Sequence, residues 1–76
     1  MPSYRIKVVN RHFSSSQDIQ ASNPDAARLE ALKGALQIGV DEVCQGKMFF
    51  AAQVSIEGEG EASERLVIAI GTSPLQ

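Results

Sequence analysis

Residues 66–70 read Leu-Val-Ile-Ala-Ile, an apolar run with no polar residue inside it. Successive side chains of a strand point to opposite faces of its sheet, so a half-exposed strand alternates apolar with polar. This strand has two apolar faces. In a long chain a second layer would cover the extra face, but a domain near 76 residues buries only about 60% of the surface its unfolded chain exposes. A core that thin rarely supplies more than about 3–5 kcal/mol unless a disulfide, a metal or association adds to it. Cys44 is the single cysteine and His12 the single histidine, so neither an internal disulfide nor a four-ligand zinc site is available. A second copy of the chain is the expected cover.

The rest of the pattern predicts one domain over residues 1–76, with a flexible tail from about 72. Alternation over residues 3–10 predicts a strand with Tyr4, Ile6 and Val8 on one face and Arg5, Lys7 and Val9 on the other. Phe13, Gln17, Ile19 and Ala21 fall on alternate positions, which predicts a weaker edge strand over about residues 15–21. A helix is expected next. Asn23 suits its cap, Pro24 its first position, Asp25 the positive end of its dipole, and Gly46 a left-handed stop. Leu29, Leu32, Leu36, Val40 and Val43 form a stripe expected to pack on the sheet, leaving Ala27, Ala31, Gly34 and Ile38 as a smooth back face. Gly34 and Gly39 each cost about 0.8–1 kcal/mol relative to Ala inside a helix, which close packing would explain.

The segment from Met48 to Gly71 reads as a hairpin, its turn carrying Gly58 and Gly60. The expected fold is therefore α+β: a small antiparallel sheet in the order β-β-α-β-β with one long helix packed on one face. Tyr4, Ile6, Val8, Phe50, Val54, Ile56, Leu66, Ile68 and Ile70 are assigned beneath the helix. The outer face then presents Phe49, Ala51, Val67, Ala69 and Val9 with Arg5, Lys7, Gln53 and Arg65 among them, an apolar patch with a basic rim.

A net charge of −2 at pH 7 argues against general attraction to nucleic acid. No segment approaches the roughly 18–20 apolar residues of a membrane span, and the N-terminus lacks the core of a signal peptide, so the expectation is a cytoplasmic protein. Catalysis finds little support. Nothing in the spacing brings His12 to Cys44, Asp41 and Glu42 point apart on the helix, and Cys44 is expected to be a small buried hydrophobe near the leucines. The Gly-Glu-Gly of residues 58–60 leads into a strand, not into the helix N-terminus that a phosphate loop needs. No catalytic residue, metal or cofactor is expected.

Pro2-x-Tyr4-x-Ile6-x-Val8, Asp25-Ala26-Ala27-Arg28-x-x-Ala31-Leu32, Gly39-x-Asp41-Glu42 and Ser73-Pro74-Leu75 span nearly the whole chain. In these motifs it resembles a family of short, mainly bacterial proteins catalogued as a domain of unknown function. The motifs are structural, and the resemblance implies no active site. Where many such proteins have an acidic, Gly-containing turn between the first two strands, this chain has Asn-Arg-His-Phe-Ser-Ser-Ser-Gln. The strand-strand-helix-strand order is also similar to antitoxins of the HicB kind, a likeness of topology that implies only a protein-binding sheet surface.

The functional expectation is a self-associating, non-enzymatic binding or regulatory module, a homodimer whose contact uses Phe49, Val67 and Ala69 with Arg5 and Arg65 at the rim. Two alternatives use the same face. One is an antitoxin-like regulator that binds a protein partner. The other is a nucleic-acid platform with a base stacked on Phe49 and Arg5, Lys7 and Arg65 near the phosphates.

Overall fold

The alternation of the first strand sets the sheet, because a strand with large apolar side chains on one parity must bury that face. The computed structural model describes residues 2–58 and 63–75. Its elements are β1 (Ser3–Val9), β2 (Ser14–Gln20), α1 (Pro24–Cys44), β3 (Phe49–Gly58) and β4 (Glu64–Gly71). The strands form one antiparallel sheet in the order β2-β1-β3-β4, so the β-β-α-β-β order and the α+β class are as expected.

A tight turn fixes the β1–β2 register. The Asn10 Oδ1 accepts hydrogen bonds from the backbone N–H of His12 (2.8 Å) and Phe13 (3.0 Å), and the Asn10 N–H donates to the Phe13 carbonyl at 3.0 Å. The side-chain amide thus closes the turn itself. Tyr4 then pairs with Ile19, and Arg5 with Asp18. The inner face carries Tyr4, Ile6, Val8, Phe50, Val54, Ile56 and Ile68, all buried. Phe13 stacks on Phe50 at 6.3 Å between ring centroids. As expected, β2 is an edge strand and is exposed along nearly its whole length.

The helix ends match their sequence signals. The Asn23 side chain accepts from the Ala26 N–H at 2.8 Å, Pro24 opens the helix, and Gly46 takes a φ of +106° just beyond it. Gly58, expected in the hairpin turn, ends β3 instead, and Gly60 lies outside the described residues. The expected tail begins with an anchored residue, for the Thr72 N–H donates to the Met48 carbonyl at 2.8 Å.

The helix face is opposite to the expected one. Ala27, Ala31, Ala35 and Gly39 are buried against the sheet, whereas Leu29 (54% exposed), Leu36 (40%) and Val40 (46%) face solvent. The reason is volume. The inner sheet face already supplies large side chains, and an interior packed to crystal-like density leaves room for small ones opposite them. Leu32, Ile38 and Val43 pack at the margins. The helix lies over β3 and β4, touches β1 slightly, and leaves β2 uncovered. Gly39 makes the close approach that its cost in helix propensity suggested; Gly34 does not, since a Cβ there would meet nothing within 4 Å.

Candidate interaction surfaces

The register places the outer-face residues as the sequence suggested and divides them into two ends. Val9, Gln53 and Val67 form one row across β1, β3 and β4; Ala51 faces Ala69, and Phe49 faces Gly71. Val67 is 78% exposed and Phe49 65%. The Phe49 ring rests beside Gly71, where a Cβ would lie 3.5 Å from its Cδ1, so the ring covers backbone that no side chain protects. This end of the sheet is apolar and open.

The other end carries the charges, and there the basic rim is largely neutralised. Arg5 donates to Asp18 through Nε at 3.0 Å and Nη2 at 3.4 Å, and Lys7 Nζ lies 3.8 Å from Glu57. The hydrogen bond from Arg5, and secondarily its charge, holds the Asp18 carboxyl below its ordinary pKa; the same bond raises that of Arg5. These pairs are exposed and worth little in stability. Their effect is on the field: two of the three cations of the nucleic-acid reading are matched by acids. Among the described residues Arg65, opposite Ser55, has no ion pair.

The residues weighed for catalysis lie elsewhere. His12 is exposed in the β1–β2 turn and lines an open groove of about 600 Å³ with Arg11, Glu42, Lys47 and Phe49. Lys47 there pairs with Glu42 at 3.5 Å. Cys44 does not line that groove; it is exposed at the end of α1, contrary to the expectation of burial, because the leucine side of the helix faces away from the sheet.

Two features escaped the sequence reading. Asp18 and Glu57 become the partners of Arg5 and Lys7 only through the register, which the Asn10 turn could have revealed. The exposed stripe of Leu29, Leu36 and Val40 was visible but assigned to the interior. Among the described residues, no helix is long and apolar enough to cross a membrane.

No family model, curated protein or solved structure matches this chain.

Proposed function

We propose that this chain is a non-enzymatic cytoplasmic module that works as a self-associated unit, a homodimer, and serves binding or regulation. Its contact comprises Phe49, Val67 and Ala69, with Arg5 and Arg65 at the rim. The observation that carries this reading is the exposure of Val9 and Val67 in one row, and of Phe49 farther along the same sheet face, opposite the face on which α1 packs. Contiguous apolar patches of this kind mark contacts. The resemblance to the short-protein family belongs to the same proposal and adds no activity. The nucleic-acid platform is the weaker reading, because Arg5 and Lys7 already face acids.

The test is solution mass by light scattering at several concentrations, in about 50 and 300 mM salt. The parent is expected at twice 8.2 kDa in both, since apolar contacts are not screened. Val67→Glu places a charge in the contact and is expected at the mass of one chain with an unchanged circular dichroism spectrum. A parent that stays at single-chain mass throughout removes self-association and leaves the face to a different protein. A Val67→Glu variant that keeps the parental mass removes this location for the contact.

A further inference from the structure

We propose that the groove between the β1–β2 turn and the end of α1 binds the carboxyl-terminal residues of a partner polypeptide, taken up as a short extra strand beside the start of β3 with its terminal carboxylate at Arg11. The proposal rests on the reading of the chain as a binding module and supplies the chemistry of its partner. It is compatible with the self-association contact, which uses the Phe49 side chain on the outer face, whereas the groove uses the Phe49 backbone.

The backbone gives the first argument. The Thr72 N–H donates to the Met48 carbonyl in the register that pairs Phe50 with Ile70. Hydrogen-bonding direction alternates along an antiparallel strand, so the even-numbered residues of β3 turn their backbone groups toward β4, and Phe49, Ala51 and Gln53 turn theirs toward β1. Gln53 pairs there with Val9, the last residue of β1, and the chain then leaves the sheet in the turn closed by Asn10. Among the described residues, Phe49 and Ala51 have no backbone hydrogen bond on this side. Both line the groove of about 600 Å³, a volume within the roughly 300–1,000 Å³ of ligand sites.

Two N–H and C=O pairs at a two-residue spacing are what an extended polypeptide matches. A strand running parallel to β3 places the N–H of its last residue on the Phe49 carbonyl and its terminal carboxylate on the Ala51 N–H. The carbonyl two residues earlier then accepts from the Phe49 N–H.

The turn decides which part of a chain fits. It occupies the line that β1 would follow past Val9, so a strand laid beside Phe49 cannot continue beyond Ala51 and must end there. The charges decide which end. Arg11, at that stop, forms no ion pair among the described residues, and His12 adjoins it in the lining. Glu42, the acid of the lining, is matched by Lys47 at 3.5 Å, so the groove keeps a net positive charge. A guanidinium takes a carboxylate through two charge-assisted hydrogen bonds, whereas an amino terminus would meet a like charge. A carboxyl terminus is the end that both the backbone and the charge accept.

The test titrates the parent with an acetylated pentapeptide of Thr and Val that has a free carboxyl end, followed by backbone amide chemical shifts, with light scattering alongside. Two further peptides are compared: the same sequence amidated, and an amidated one with Glu as its last residue. The expected result is saturable shifts centred on Arg11, His12, Phe49 and Ala51 with the free acid, and binding about tenfold weaker or more with either amide. Arg11→Gln, which alters an exposed turn residue, is expected to keep the parental spectrum and mass and to lose about tenfold in affinity for the free acid. Equal binding of the plain amide, or an Arg11→Gln chain that binds like the parent, overturns the carboxylate contact. Equal binding of the Glu-ending amide overturns the selection of a chain end. Shifts elsewhere, or none up to about 5 mM peptide, overturn the groove, and with a parent at twice 8.2 kDa they leave self-association standing. Binding of the free acid alone by a parent of single-chain mass supports the groove and removes self-association.

Discussion

Gly39 of α1 and Ile70 of β4 pass so closely that a Cβ on Gly39 would lie 2.5 Å from the Ile70 Cδ1 and 2.9 Å from the Phe50 ring. The row Ala27, Ala31, Ala35, Gly39 ends in the residue with no side chain where large β3 and β4 side chains rise to meet the helix. The seating of the helix is therefore set by the smallness of this row. Its consequence is that the larger leucines and valine of the opposite stripe are left outside.

Two glycine substitutions in the same helix should have opposite signs. Ala improves helix propensity by about 0.8–1 kcal/mol at either site. At Gly34 nothing opposes it, so Gly34→Ala should be more stable than the parent by about that amount. At Gly39 the added methyl must displace Ile70 and Phe50, and overpacking of this kind costs about 1–3 kcal/mol. Gly39→Ala should therefore lose about 1 kcal/mol net. Urea unfolding of both variants checks this, and a Gly39→Ala chain more stable than the parent would remove the close approach.

The orientation of the helix can be tested without touching the leucines. Ala35 is fully buried against the sheet, and Ala35→Leu should cost about 1–3 kcal/mol by overpacking. If the leucine stripe faced the sheet instead, Ala35 would be near solvent and the substitution would fall within about 0.5 kcal/mol of the parent. The unfolding midpoint of this one variant distinguishes the two arrangements.

Much of the sheet was legible because its signals are local. Tyr4, Ile6 and Val8 against Arg5 and Lys7 name the buried parity of β1, and Phe50, Val54 and Ile56 do the same for β3. Once parity is known, Phe49, Val67 and Ala69 must share the outer face. The helix was harder because it has two apolar stripes, one of alanines and one of leucines. Hydrophobicity favours the leucines, but the choice is made by the volume remaining above the sheet, which depends on residues in β3 and β4. The pairing of Arg5 with Asp18 is non-local in the same way. It exists only because the turn over residues 10–13, closed by the Asn10 side chain, sets the register, and no count of charges along the chain contains that information.

That ion pair makes the acid limb of the stability curve testable. The hydrogen bond from Arg5, with its charge second, depresses the pKa of Asp18 in the folded chain. A group with a depressed native pKa contributes stability above its ordinary value, near pH 4 for an aspartate, and loses it as pH falls through the native value. In the parent this contribution should be present at neutral pH and fade below about pH 4. Asp18→Asn removes the titrating group, while the other carboxylates remain the same in both chains. The drop in urea midpoint between about pH 7 and pH 3 should therefore be smaller in Asp18→Asn than in the parent. Equal drops would mean that the contact between Arg5 and Asp18 does not persist in solution. A larger drop in the variant would give the pair a sign opposite to that of its geometry.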